Sequence, residues 1–494
     1  MTGRMNIPSF ARCLAMAAAV LLAGSCSKNL PFGGGDETRT LEYVNLFAYN
    51  TMRTYYLWAD EVKDGLDDWK QHEADPVAKV QSLRYKDENG QPVDKWTQLY
   101  EDFDAFYNSV TGTRKSYGFN YKLYYASQDR TRIVAVVTYT YADGPAREAG
   151  LQRGDVIAEV NGTKMTPDNY AEIASGQLHG GDKVTLTMGD GSKKTLTAVE
   201  MYENPVQLAR VFDLGDKKVG YLHYTSFTLD SCGELIRVCR SFRNQNIDEL
   251  ILDLRYNSGG YAFTEVLLAS MLAPEADVAA GKVLATEVFN SRITGVLGKQ
   301  ETLLSTKHPI KSDGQETVYD TEGANLNISH LYAIVDDASA SASESLLCEL
   351  YPYLDITLVG GQTRGKYCSG LMIRATDWYE DNAKELGEKA EGKDYVGGWG
   401  IYVMYSRFAD RDGVTRCMPD GLTPDHSATD IPTDGYQLGD PKETMLAATL
   451  ALARGAAPAA LPRRQDATPV ALPTEQPAVR IITEPRPAGP GFLR

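Results

Sequence analysis

The sequence predicts a multidomain α/β protein with a helical N-terminal domain, a small β-rich domain and an α/β core. Three observations carry this. Near the start, Leu41, Val44, Ala48, Met52, Tyr55 and Tyr56 fall at helical spacing. From about Lys115 to Glu200, short apolar runs are separated by glycine-rich turns. From Lys218 onward, apolar strands alternate with helices, which builds a partly parallel sheet covered by helices. A chain of 494 residues suits about three such units. Their boundaries are read at 41–113, 114–205 and 206–454.

Residues 1–25 read as a targeting segment, outside the fold. Arg4 and Arg12 make a basic start, and Leu14 to Ala23 is a short apolar run, too short to span a bilayer stably. It ends at Ala23-Gly24-Ser25-Cys26. This junction resembles a bacterial lipoprotein signal. The resemblance implies lipidation of Cys26, a Gly-rich tether over 26–40 and membrane attachment through the lipid alone. A plain secretory signal cut nearby is the alternative. The formal net charge of −16 and pI of about 5.0 argue against nucleic acid, whose phosphates are bound by Lys and Arg. Cys232, Cys239, Cys348, Cys368 and Cys417 remain beyond Cys13 and Cys26. No C-x-x-C occurs, and buried free thiols are expected.

The helical region is rich in aromatics, including Trp58, Trp69, Trp96, Tyr100, Phe103 and Phe106. Such a stripe reads as core, not as a ligand box. In the β-rich region, Ile133 to Val137 is a strand. Gly144-Pro145-Ala146, Ala149-Gly150-Leu151, Gly154-Asp155 and Asn161-Gly162 follow in order. Asn-Gly closes a tight hairpin. Tyr170 to Ala174 reads as a helix and Val184 to Leu186 as a last strand. This string resembles a PDZ domain of the kind fused to bacterial proteases. The resemblance implies strand addition of an extended peptide. Tyr117-Gly118-Phe119 is either a carboxylate-binding loop or simply a strand start.

In the core, Val219–Tyr224, Leu250–Leu254, Leu331–Val335 and Ile356–Val359 read as strands. Helices are read at Leu235–Phe242, from about Thr264, at Ser343–Leu350 and up to Ala453. Gly259-Gly260, Ser341 and Lys366 each follow a strand end, the edge where such sheets build their sites. Ser341 lies at a strand-to-helix turn, near the positive helix end. Lys366 lies just past the next strand, as a serine–lysine hydrolase requires. Residues 455–494 hold eight of the 22 prolines and no apolar periodicity, and read as a disordered tail.

Four motifs occur in order: the PDZ-like string, Asp253-Leu254-Arg255-Tyr256-Asn257-Ser258-Gly259-Gly260, Ala340-Ser341-Ala342-Ser343-Glu344, and Gly365-Lys366. Residues 115 to 450 thereby resemble the carboxyl-terminal processing (tail-specific) serine peptidases. The helical start, the lipoprotein signal and Leu438-Gly439-Asp440-Pro441 resemble a branch common in Bacteroidetes-type bacteria. The resemblance implies a crotonase-like (ClpP/crotonase) core and a Ser341–Lys366 dyad. It also implies an oxyanion hole from the backbone N–H groups of Gly260 and Ala342. Substrates would be proteins or peptides with exposed carboxyl termini. The place would be the bacterial cell envelope, lipid-anchored at the outer membrane and facing the periplasm.

The base must be a neutral amine, so Lys366 has to be desolvated or near another cation, such as Arg364. Many members carry Gln four residues after the lysine; here that position is Gly370, which leaves the third catalytic residue open. Each residue also has a plain reading. Any of Ser339, Ser341, Ser343 and Ser345 could cap a helix. Asp253 and Arg255 read as a structural ion pair, and Glu344 as orienting the serine's helix. His72, His179, His223, His308, His330 and His426 offer a Ser–His–Asp alternative, though none lies in a placing motif. Without H-E-x-x-H or a phosphate-binding loop, no metal or cofactor is expected. The competing function is a non-catalytic peptide-binding scaffold lipoprotein. A small-ligand-binding (retinoid-like) use of the same core is the third.

Overall fold

Helix α1 (Asp36–Tyr55) buries Val44, Phe47, Ala48 and Met52 along one face, the i, i+3, i+4 pattern of an amphipathic helix. It begins inside the stretch expected to be tether. The computed structural model describes residues 36–69, 73–111, 113–179, 181–312, 315–457, 469–470 and 479–482. Residues 1–25, read above as a targeting segment, Cys26 and His72 lie outside them. Among the described residues no helix is long and apolar enough to cross a membrane, and no acidic, His or Cys cluster could hold a metal ion.

The N-terminal region is not a separate helical domain. Its short strand β1 (Gln98–Tyr100) pairs with a core strand, Gln98 lying opposite Tyr402. Leu57 N–H donates to Met404 O at 2.8 Å. Val44, Phe47, Tyr56, Leu99 and Phe103 share one hydrophobic cluster with Leu267, Leu346, Met372 and Ile401. The aromatic stripe is core, as expected, but the core it enters belongs to the α/β unit.

The β-rich unit closes on its own core of Tyr121, Leu123, Val137, Ile157, Leu186 and others. Its sheet runs through β2 (Phe119–Tyr125), β3 (Ile133–Thr140), β4 (Val156–Val160), β5 (Lys183–Met188) and β6 (Lys193–Thr197). Asn161 and Gly162 both have positive φ, 50° and 78°, and close the expected hairpin between Val160 and Thr163.

The core is built on a six-stranded sheet. Its order is β7 (Val206–Asp213), β8 (Lys218–Tyr224), β9 (Glu249–Asp253), β11 (His330–Val335), β12 (Asp355–Gly360) and β15 (His426–Ser427). All but the β7–β8 pair are parallel. Side chains alternate between faces. Val219, Tyr221, Ile251, Tyr332 and Ile334 meet Met445, Leu446 and Leu450 of a covering helix (Thr444–Ala453). Leu222, Leu252, Leu331 and Ala333 face the large cluster. Because β9, β11 and β12 are parallel, the segments after their carboxyl ends gather at one edge.

A second sheet stands beside it. Strand β10 (Gly259–Tyr261) is followed there by residues 479–481, then β13 (Cys368–Arg374) and β14 (Gly400–Asp410). Residues 469–470 likewise form a short strand, on β2. The expectation of disorder over 455–494 therefore fails at 469–470 and 479–482. The physical reason is that short β-prone stretches such as Val479-Arg480-Ile481-Ile482 can borrow an existing sheet edge, which composition does not reveal.

The β-rich unit is fixed to the core by buried charge. Arg153 reaches Asp430 and Glu443, and its Nη1 donates to Tyr256 Oη at 2.9 Å. Arg255 pairs with Asp253 at 2.6 Å and Glu443 at 2.9 Å, all three fully buried. The Asp253–Arg255 pair is thus structural, as expected, but it is one part of a five-residue network. Burial opposes charge on Asp253 and Asp430, yet the arginines override it and hold both carboxyls below their usual range.

Candidate active site

Ser341 sits on the turn between β11 and helix α2 (Ala342–Leu350), as its N-cap. Its φ of 61° and ψ of −109° put a side-chain-bearing residue in the sparse left-handed half of backbone space. Strain of this kind persists only where the surroundings impose it, and nucleophile turns are one such place. The residue is fully buried, and its Oγ has no hydrogen-bond partner among the described residues.

What imposes the turn is Glu344, also fully buried. Its Oε2 accepts from Ser341 N at 2.9 Å and Lys366 N at 2.8 Å. Its Oε1 accepts from Gly365 N at 2.7 Å and from Thr363 Oγ1. One carboxylate therefore holds the serine turn and the lysine turn together. Arg364 N adds a second tie, donating to Ser339 O at 3.1 Å. Burial raises the Glu344 carboxyl above its usual range, against the pull of these four hydrogen bonds. The orienting role expected for Glu344 is present, and it reaches further than its own helix.

Asn257 brings in the glycines. Its carbonyl accepts from Ala340 N at 3.1 Å and Ser343 Oγ at 3.0 Å, while its Oδ1 accepts from Gly259 N at 3.0 Å. Gly260 has φ of 144°, and a Cβ there would lie 2.3 Å from Phe227 O, so only glycine fits. Ala342 opens α2, where backbone N–H groups have no acceptor within the helix. Gly260, Ser341, Ala342 and Lys366 are thus parts of one bonded assembly.

Lys366 is fully buried. Its Nζ donates to Tyr402 Oη at 2.7 Å, and the Tyr402 and Trp96 ring centroids lie 4.8 and 5.6 Å away. Neither aromatic was legible as a site residue; Trp96 and Tyr402 come from β-edge and core stretches remote in sequence. The absent glutamine is explained by the same tyrosine. A Cβ at Gly370 would lie 2.3 Å from the Tyr402 ring and 2.7 Å from its Oη, so Gly370 makes the room that Tyr402 occupies. Arg364, considered as a cation near the lysine, sends Nε to Asp337 O at 3.2 Å.

The histidine alternative finds no support in the geometry, since Ser341 Oγ is bonded to none of the described histidines. His223 packs edge-on against Tyr139 and Tyr256, and burial lowers its pKa to about 4. His308 and His330 bond Ser305 O and Thr357 Oγ1, and His179 stacks on Tyr121. At Tyr117-Gly118-Phe119, the Gly118 N–H is taken by Ser116 Oγ at 3.0 Å and Phe119 already pairs with Thr140. The five described cysteines are all buried free thiols, as expected.

Residues 218–428 match Peptidase family S41, and residues 136–188 match a PDZ domain. The chain carries an S41 peptidase domain behind a PDZ domain. All four core-site residues fall inside the S41 match. A carboxyl-terminal-processing protease of a Picosynechococcus species is 27% identical over 228 residues, covering 45% of this chain and 48% of the relative. Carboxyl-terminal-processing peptidase 2, chloroplastic, of Arabidopsis thaliana is 27% identical, covering 52% and 46%. The chain spans about half the length of these curated relatives. A Bacteroides fragilis crystal structure assigned to the S41 proteases superposes with a TM-score of 0.60 at 21% identity, over 87% of this chain and 99% of that one. That likeness is one of fold, and it reaches beyond residues 218–428.

Proposed function

We propose that this chain is a serine endopeptidase in which Ser341 is the nucleophile and Lys366 the base. The carrying observation is the unbonded Ser341 hydroxyl on a strained helix N-cap, tied through Glu344 to the turn bearing a buried lysine. Ser341 Oγ attacks a peptide carbonyl as Lys366 Nζ accepts its proton. The amide bond then breaks, the amine leaves with that proton, and water hydrolyses the acyl-enzyme. Gly260 and Ala342 N–H groups stabilise the oxyanion. Complete burial suits a base that must work as a neutral amine. Substrates are protein segments bound as extended strands, with carboxyl-terminal selectivity supported by the names of the relatives. Attachment to the bacterial cell envelope through a lipid on Cys26 is part of the same proposal and rests on the sequence of residues 1–26.

The test uses an unfolded reporter protein with an apolar carboxyl terminus and a fluorophosphonate probe for activated serines. The parent chain cleaves the reporter and takes up the probe; Ser341→Ala does neither, and Lys366→Ala does not cleave. Cleavage by Ser341→Ala at the parent rate would sink the assignment.

Tyr402 would orient the base. A neutral amine has two N–H donors and one lone pair, and fixing one N–H on Tyr402 Oη aims the lone pair. Tyr402→Phe keeps the ring in the space left by Gly370. It is expected to lower kcat about tenfold, ~1.4 kcal/mol, with KM unchanged. Steady-state kinetics on a peptide reporter checks this, and a change confined to KM would speak against it.

A further inference from the structure

We infer that residues 469–470 and 479–482 are self-ligand strands of this chain, lying in its own peptide-binding track and competing there with substrate. The inference rests on the peptidase reading for the word substrate; the occupied track itself is structural. Two short strands of this segment lie on the two surfaces that matter. Pro469-Val470 pairs antiparallel with Tyr124 and Leu123 of β2, the PDZ-domain strand that opens at Phe119. Adding a strand to a sheet edge is how such domains take peptides. Val470 packs on the PDZ core. Pro469-Val470 lies on this edge as an internal segment of the chain.

Nine residues further on, Val479, Arg480 and Ile481 pair in parallel with Gly259, Gly260 and Tyr261. Ile481 also pairs with Gly370, and Ile482 N–H approaches Gly370 O at 3.4 Å. The segment is thus the middle strand between β10, which carries the proposed oxyanion glycine, and β13, which begins just after Lys366. Strand spacing of about 4.8 Å makes this a slot one strand wide, bonded on both sides. Ile481 is fully buried in the main cluster, and Ile482 packs against it. The slot therefore takes an extended backbone with a β-branched apolar side chain at the Ile481 position. That names the substrate class: segments patterned like Val-Arg-Ile-Ile, read by backbone pairing and one buried aliphatic side chain.

A tethered competitor acts at millimolar effective concentration, raising the apparent KM without changing kcat. The full chain is compared with Ile481→Asp and with Val470→Asp, each checked by thermal melting. Ile481→Asp should lower KM for an extended apolar reporter peptide about tenfold at unchanged kcat. Val470→Asp should act in the same direction from the PDZ end. Unchanged KM in both variants, or a fall in kcat with a lower melting temperature, would make the segment a structural strand and overturn the inference. A second readout does not need activity. In the Ser341→Ala background, a fluorescein-labelled peptide of sequence 476–483 should bind the Ile481→Asp chain at least tenfold more tightly than the unsubstituted chain. Equal or absent binding overturns the inference. Discriminating binding without cleavage by any active-serine chain would instead leave the self-ligand standing and remove the peptidase reading.

Discussion

Glu344→Gln is expected to lower kcat by about 100-fold or more while the protein stays folded. Each carboxylate oxygen of Glu344 accepts two hydrogen bonds, one pair joining Ser341 N to Lys366 N and the other joining Thr363 to Gly365 N. An amide turns one of those acceptors into a donor facing two donors, whichever way it is oriented. A buried unsatisfied donor costs about 1–3 kcal/mol. Two on one side would open the contact that sets the serine against the lysine, and 2.7 kcal/mol is about 100-fold in rate. Because burial raises this carboxyl, protonation on acidification sets in at a higher pH than for an exposed glutamate. Protonation of Glu344 should therefore add to the acid loss of kcat that protonation of Lys366 already causes, and that added part should be absent in the glutamine variant. Circular dichroism and a pH–rate profile together check this; a variant within threefold of the parent would mean that the bridge is dispensable.

Arg255→Met is expected to destabilise the fold by about 3–5 kcal/mol, the cost of removing one partner from a buried ion pair. Its guanidinium serves Asp253, Glu443 and Asp430 at once; Asp253 and Glu443 are fully buried and the Asp430 side chain is nearly so. Arg153 remains, but it reaches only Asp430 and Glu443. Equilibrium denaturation measures the loss, and adding Glu443→Gln should restore part of it by removing the stranded charge. The sign with pH follows from the depressed Asp253 and Asp430 carboxyls. The stability they contribute is present above the ordinary aspartate range and is lost as pH falls through their lower folded values. In Arg255→Met that acid loss should be smaller.

The proposed site residues that lie near strand ends could be placed from the sequence before the fold was known. Ser341, Gly260 and Lys366 stand at ends of strands that an apolar run announces, and short runs bounded by turns localise well in sequence. Residues that act across the fold could not be so placed. Tyr402 lies in an eleven-residue strand that is almost wholly buried, where a tyrosine looks like any other core aromatic. Trp96 reaches the lysine only because β1 docks on that strand. The same docking defeated the reading of a separate helical domain, since helical periodicity says which face is apolar but not what covers it. The strands at 469–470 and 479–481 were missed for a related reason: their partners, not their own composition, make them strands.

The docking of β1 also sets a schedule for synthesis. Gln98 and Tyr402 are neighbours in the sheet although 304 positions separate them. At 5–20 residues per second, Trp96 leaves the ribosome roughly 15–60 s before the tyrosine that shares its lysine. The cage around Lys366 cannot close on a nascent chain. A site assembled in this order is incomplete while the chain is being made, and β1 with Trp96 acts as a clasp that is fastened last.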